Sequence, residues 1–426
     1  MKITAVVSEF NPFHKGHEYI LERARAKTGA DFVIALMSGN FVQRGEPALF
    51  DMGIRTEAAL INGADAVFEL PPQFSLSSAE GFATGAVCIL NKLGIDHMVF
   101  GSECGDIKSL KEAAAVLSEE NDVYRTVLKE KLKEGASFPA AREAAFFACI
   151  KGSNDQNKEE LTKILREPNN ILAVEYLKAL KKSGSLICPV TEVRVGSPYH
   201  DAASSGPAYS AESIRKMLIN PDPSFKKLLS LFPELEYISS ALRDTGAVQR
   251  DSLTPLLLYK LLSNGLRESM RKAGVPGDLS GRILKYRDFS GTFSEFTELI
   301  KTKNITYSAV SRNLLHLILD MDYESHPLSD ICSNIDYVRL LGFRRDAGEL
   351  FPELKKRCGD MTILGNSSDI RNYLSRTDKE KGEDPGGRTF LEENLRIDRI
   401  YNILRKDIIR REHPLPPEIS RRIITL

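Results

Sequence analysis

Four short apolar runs in the first hundred residues constrain this chain most: ITAVV (3–7), DFVIALM (31–37), DAVFEL (65–70) and DHMVF (96–100). Each is rich in β-branched or aromatic residues and is too short for a buried helix. Between them lie HEYILERARAK, MGIRTEAALINGA and SSAEGFATGAVCILNKLG; apolar residues in the last recur at helical spacing, and Gly29, Gly63 and Gly94 stand at helix ends. Nearly continuous apolar strands alternating with helices predict βαβ units and a parallel sheet covered on both faces. Ligands of such sheets bind beyond the carboxyl ends of the strands, so the loops after each run are where chemistry is sought.

Residues 107–165 read as mostly helical, and NNILAVEYLKALKKSG forms a further helix leading into a strand, CPVTEVRV (188–195). Beyond SSGPAYSAESIRKML the β signals fade. TPLLLYKLLSN, YSAVSRNLLHLILDM, IDYVRLLGF and RIDRIYNILRKDIIRRE read as helices. The expected fold is therefore an α/β, Rossmann-like domain over 1–220 and a mostly α-helical domain over 221–426. A boundary near INPDPSF and a length of 426 residues both suit two domains. The charged, glycine-rich stretch RTDKEKGEDPGGR (376–388) reads as a mobile loop.

Lys+Arg and Asp+Glu both number 58, so net charge names no partner, although a neutral total can still hide a local basic face. Cys88, Cys104, Cys149, Cys188, Cys332 and Cys358 are scattered without a C-x-x-C pair, which speaks against a zinc site or a disulfide framework. The N-terminus is interrupted by Glu9 too early for a signal peptide, and no apolar run approaches the ~20 residues of a membrane span. The expectation is a soluble, cytoplasmic protein with reduced thiols.

The loop after the first strand carries SEFNPFHKGHEYI (8–20), with His14 and His17 three apart around Gly16. A helix starting there exposes N–H groups and the positive end of its dipole, and Gly16 lets a ligand approach the backbone. Both imidazoles can donate to phosphate oxygens as charge builds in a transition state. Placement favours phosphate handling over two alternatives, an ordinary helix start and a metal site, the latter requiring a third ligand nearby.

This H-x-G-H following a first strand resembles the signature of the HxGH (HUP-type) nucleotidyltransferase superfamily. The ordered set VVSEFNPFHKGH, MSGNFVQRGEPALFD, ELP (69–71), FGSE (100–103), EPNNILAVEYLKAL and YHD (199–201) narrows it to the bacterial tRNA(Met) cytidine acetate ligase family. The similarity continues more thinly through SAVSRNLLHLIL and DYVRLLGF. The resemblance implies an ATP-dependent ligase. Acetate and ATP form acetyl-adenylate and pyrophosphate, and the acetyl group passes to the wobble cytidine of elongator tRNA(Met), giving 4-acetylcytidine. ATP is then a substrate, and magnesium is implied by triphosphate chemistry rather than by a ligand motif.

By the same resemblance His14 and His17 are catalytic. The run Val7, Ser8, Glu9, Phe10, Asn11, Pro12, Phe13 and His14, with Gly16 and His17, lines the ATP site. Gly101, after the fourth strand, takes a nucleotide contact, although a simple turn glycine reads equally well from sequence. One of Asn169 and Asn170 caps a helix and one contacts ATP, Asn169 being preferred because it leads the motif. Arg194, late in its strand, takes the family's position for a second nucleotide contact, a surface salt bridge being the alternative reading. YSAESIRKML is similar to the superfamily's second phosphate signature, matched by Ser210 and Arg215, whereas Ala211 and Glu212 depart from it and put an acid beside phosphates. Gln43, Arg44 and Glu46 share the rim with His14 and are candidates for ATP, acetate or base contact.

Basic residues cluster later: Arg339, Arg344, Arg345, then Lys355, Lys356, Arg357, then Arg405, Lys406, Arg410, Arg411, Arg421 and Arg422. Charge runs alone suggest a solvated face, but a tRNA substrate requires a large basic surface. Two other readings compete: a small-molecule adenylyltransferase, which leaves the helical half unexplained, and an RNA-binding protein with a vestigial nucleotide site.

Overall fold

Strand β1 (Ile3–Ser8) takes the centre of the sheet, with β2 (Phe32–Ser38) and β5 (Ala66–Leu70) on one side and β6 (His97–Ser102) and β7 (Cys188–Val193) on the other, all parallel. The structure is a computed structural model and describes residues 1–119, 121–150, 155–194, 211–212, 214–215, 247–376, 386–406 and 422–426. Counting the parallel strands in chain order gives 3-2-1-4-5, the doubly wound arrangement expected. The order reverses between β1 and β6, and in sheets of this kind the crevice beyond those carboxyl ends is where ligands bind.

Helices α1 (Lys15–Thr28), α2 (Met52–Ile61), α3 (Pro72–Ser75) and α4 (Ala79–Lys92) connect the first strands. Between β2 and α2 the chain forms a small hairpin, β3 (Phe41–Val42) with β4 (Glu46–Pro47). Between β6 and β7 run α5 (Ile107–Glu119), α6 (Asp122–Lys133), α7 (Phe138–Cys149), α8 (Asp155–Ile164) and α9 (Pro168–Lys182). Side chains of β1 alternate between two cores, Ile3 and Ala5 facing the α4 and α9 layer and Val6 the α1 and α2 layer. A third core is built by the later helices, among them Thr254–Leu262, Phe293–Ile300 and Tyr307–Ile318, with Phe41 and Tyr401 joining it to the sheet domain. Among the described residues no helix is long and apolar enough to cross a membrane.

One segment departs from the sequence reading. DYVRLLGF is strand β8 (Tyr337–Phe343), not helix; it pairs antiparallel with β5 and carries β9 (Thr362–Leu364) and β10 (Ile424–Thr425) beyond it. A short apolar run buried on both faces has no period to separate strand from helix. The later half of the chain thus completes the sheet of the first half. The proposed boundary at INPDPSF (219–225) and most of the 376–388 loop lie outside the described residues. The end of that loop already belongs to the helix Gly386–Lys406.

Candidate active site

His14 is the N-cap of α1, extended at φ −155°. Its Nδ1 accepts the Gly16 N–H at 3.0 Å, and Nδ1 of His17 accepts the His14 N–H at 3.2 Å, a reciprocal capping box. An Nδ1 that accepts a backbone N–H carries no proton, so both rings are the Nε2–H tautomer. The rings stack with centroids 3.8 Å apart, and His17 packs edge-on against Phe10 at 5.1 Å. Nε2 of His14 is shielded from solvent and has no hydrogen-bond partner among the described residues. An orphaned buried donor costs about 1–3 kcal/mol unless a ligand takes it.

Burial holds the His14 pKa down at about 4, assisted by the charges of Arg194 and Arg215. His17 lies well below the ordinary histidine range, by burial first and then by His14 and Arg194. The pair is therefore neutral at physiological pH and offers N–H donors, not cations. The helix N–H groups expected to meet a phosphate are largely satisfied: Gly16 by the His14 ring, and His17 and Glu18 by the His14 carbonyl, at 2.8 and 3.3 Å. What this helix start leaves to offer a ligand is therefore imidazole N–H rather than backbone N–H.

The rest of the leading loop is held from beneath. Val7 and Ser8 end β1, Phe10 takes φ +47°, a region bulky residues rarely adopt, and the Asn11–Pro12 peptide is cis. Oδ1 of Asn11 accepts the Leu49 N–H at 2.8 Å. Arg55 on α2 is fully buried; it donates to the carbonyls of Glu9 (2.7 Å), Ser38 (3.0 Å), Gly39 (2.5 Å) and Phe50 (3.0 Å). One guanidinium thereby ties the H-x-G-H loop to the 38–50 loop. Sequence reading passed over Arg55 because it sits mid-helix in an apolar face, where nothing marks it as a hub.

On the far side of the crevice, Nη1 of Arg194 donates to Oδ1 of Asn169 at 2.5 Å. A Cβ built on Gly101 would meet nothing nearer than the Arg194 Cβ at 3.9 Å, so Gly101 and Arg194 line one wall. The expected asparagine cap is replaced: Glu103 accepts the backbone N–H groups of Asn169 (3.2 Å) and Asn170 (2.7 Å), capping α9 from outside. Asn170 is buried, and its Oδ1 receives the N–H groups of Glu103 and Cys104 at 2.9 and 3.1 Å. Asn169 is the member of the pair that reaches Arg194. Glu103 was visible in FGSE, but only the fold shows what it holds.

Arg215 closes the crevice from a third direction, donating to the Asn11 carbonyl at 2.6 Å and lying 3.7 Å from Glu46. Glu46 is buried and also pairs with Arg250, whose guanidinium lies 5.0 Å from the Tyr307 ring centre. Glu46 is thus an anchor for two arginines of the rim. Glu212 does not threaten a phosphate, since it is exposed and pairs with Arg44 at 3.3 Å. Oε1 of Glu9 accepts the Gln43 N–H at 2.8 Å; burial raises its pKa, and that bond and Arg215 pull it back. Among the described residues no three of His, Cys, Asp and Glu converge as a metal cage, and the carboxylates of this rim already hold other partners. Ser210 lies outside the described residues.

The 38–51 loop is also gripped by the later helices. Ser311 donates to the Gly45 carbonyl (2.6 Å), Arg312 to that of Gln43 (3.0 Å), and Tyr401 to that of Ala48 (2.8 Å). Gly45 has φ +77°, and a Cβ there would press on the Arg312 nitrogen and lie 2.7 Å from the Ser311 carbonyl carbon. Gly45→Ala is expected to destabilise the protein by about 1–3 kcal/mol through strain and overpacking. Thermal melting checks this, and an unchanged Tm would refute the packing argument.

Three of the expected RNA contacts are corrected. Arg339 is buried between Glu69 (2.9 Å) and Asp398 (2.7 Å), and Arg405 is buried against Asp51. Arg357 bonds Asp96, Glu353 and the carbonyls of Met1 and Gly94. A charge run in sequence does not distinguish an exposed cation from one buried against a distant carboxylate. Arg344 pairs with Asp346 at 2.6 Å, whereas Arg345, Lys355, Lys356 and Arg422 are exposed. Arg410, Arg411, Arg421 and the Lys406 side chain lie outside the described residues.

A neutral histidine pair at the switch point of a doubly wound sheet, walled by Arg194 and Arg215, defines a nucleotidyltransferase. The family model described as HIGH Nucleotidyl Transferase matches residues 1–413. The chain is 39% identical over 379 residues to tRNA(Met) cytidine acetate ligase of Thermoanaerobacter sp. (strain X514), covering 88% of this chain and 92% of the relative. To the ligase of Clostridium perfringens (strain SM101 / Type A) it is 35% identical over 426 residues, 99% and 100% of the two chains. A crystal structure of Thermotoga maritima TmcAL bound with alpha-thio ATP superposes with a TM-score of 0.86 at 32% identity, covering 100% of this chain and 99% of that one. The chain belongs to the tRNA(Met) cytidine acetate ligase family, as its ordered motifs implied.

Proposed function

We propose that this protein activates acetate with ATP and transfers the acetyl group to the wobble cytidine of elongator tRNA(Met), in the cytoplasm where that tRNA resides. The observation that carries the reading is the pair of Nε2–H donors fixed by the α1 capping box beside Arg194 and Arg215. An acetate oxygen attacks the α-phosphorus and pyrophosphate leaves. The growing charge on the phosphoryl oxygens is met by the two imidazole N–H groups, which need no reorganisation because their Nδ1 atoms are already bonded. Arg215 suits the β- and γ-phosphates, and Arg194 with Asn169 the nucleoside side. In the second step the cytidine exocyclic amine attacks the acetyl carbonyl, loses a proton, and AMP leaves. Magnesium, when present, rides on the triphosphate oxygens, since its usual partners are substrate phosphates and water. Residues 1–220 supply the ATP chemistry, and residues 221–426 brace it and contribute to holding the tRNA.

The test is labelled acetate with ATP and bulk tRNA, followed by nucleoside analysis. Label is expected in 4-acetylcytidine, dependent on ATP and absent with His14→Ala. ATP consumption with label that never reaches RNA would overturn the reading.

A further inference from the structure

The ion pairs of Arg339, Arg357 and Arg405 take three cations out of the expected RNA surface, whereas solvent-facing cations stand on the helices between β6 and β7. On α6, Arg125, Lys129 and Lys133 are all exposed. Spacings of four and eight residues put them on one face, each about 6 Å further along the axis. None of the three forms an ion pair among the described residues, whereas the neighbouring Lys131 is held by Glu134 at 2.7 Å. With Leu128 and Leu132 they line an open groove of about 400 Å³. Leu132 is 37% exposed, and Phe138, which opens α7, is 48% exposed.

This segment leaves and rejoins the sheet at the active site. Glu103 precedes it, Asn169 and Asn170 follow it, and the three are bonded to one another on the crevice wall. The segment is thereby anchored at both ends to the wall that carries Gly101 and Arg194. α6 packs against α7, which is tied to α9 by Arg142 and Glu175 at 2.7 Å, so the basic face stands on a braced support.

Resting on the functional reading above, we propose that the exposed face of α6 is a docking surface for the tRNA, with Arg125, Lys129 and Lys133 on backbone phosphates. Unpaired, regularly spaced cations with their heads in water match a polyanion, because each can release a counterion when it meets a phosphate. A protein partner with an apolar anchor would call for a face poorer in lysine.

The test compares wild type with Arg125→Ala/Lys129→Ala/Lys133→Ala and with the corresponding triple glutamate variant. Alanine is a good helix former, so the first variant keeps α6 intact. Acetate-dependent ATP–pyrophosphate exchange, which needs no RNA, is expected to stay at the wild-type rate in both. Affinity for tRNA(Met) transcript is expected to fall at least roughly tenfold, and the slope of log affinity against log salt to drop by about three, one per lost phosphate contact. Unchanged affinity and slope in both variants overturn the proposal, as does a wild-type dimer in size-exclusion chromatography that the variants abolish without loss of tRNA affinity. A wild type without any salt-sensitive tRNA affinity would instead remove the functional reading, and this surface with it.

Discussion

Asparagine at position 14 is expected to give a folded protein that no longer activates acetate. The Asn side-chain oxygen caps a helix as well as any residue, so the start of α1 keeps the acceptor that Nδ1 of His14 now supplies to Gly16. What disappears is the Nε2–H, the buried donor that has no hydrogen-bond partner among the described residues. Loss of one such preorganised donor to a developing oxyanion costs about 10²–10³ in rate. Acetate-dependent ATP–pyrophosphate exchange should fall by that factor in His14→Asn while the thermal midpoint at pH 7.5 stays close to wild type. Acid stability separates the two roles further. Folded His14 titrates near 4 and an unfolded histidine near 6.5, so between those values the unfolded chain binds the extra proton. Stability therefore declines as pH falls through that window, and His17 adds to the decline in the same direction. His14→Asn should show a shallower decline. Exchange within a few-fold of wild type would reduce His14 to a helix cap.

Two ring nitrogens on one residue explain why sequence leaves the question open. Helix start and phosphate handling read as alternatives in sequence, whereas Nδ1 performs the first and Nε2 stays available for the proposed second. The central strands were legible because continuous β-branched runs next to glycine-ended helices admit few other folds. DYVRLLGF was not legible, since burial on both faces erases the pattern that marks a strand. The candidate site residues stand in motifs that sequence displays, but their supports do not. Glu103 and Arg55 act on backbone groups of segments far away in sequence, and such bonds leave no spacing to read. The same holds for Glu46, whose partners Arg215 and Arg250 lie roughly two hundred residues downstream.

Arg339→Leu is the substitution on which the burial of the later arginines stands or falls. Arg339 rises from β8 between the buried carboxylates of Glu69 on β5 and Asp398 on the helix Gly386–Lys406. Asp398 also accepts the Asn40 amide at 2.8 Å, and the Asn40 oxygen accepts the Met52 N–H at 2.9 Å, so the cluster underpins the loop facing the crevice. Removing the guanidinium leaves two acids in the interior without their shared cation, a change that costs about 3–5 kcal/mol. Urea unfolding should show a loss of that size, with the salt slope of tRNA binding by the folded protein unchanged. A surface phosphate contact would give the opposite pattern: a stability change within about 0.5 kcal/mol and a slope lower by about one. Adding Glu69→Gln and Asp398→Asn to Arg339→Leu should recover part of the stability, because neutral amides remove the uncompensated charge that makes the single substitution severe. If the triple variant is as unstable as the single one, the cost lies in packing around β8 and not in the buried charges.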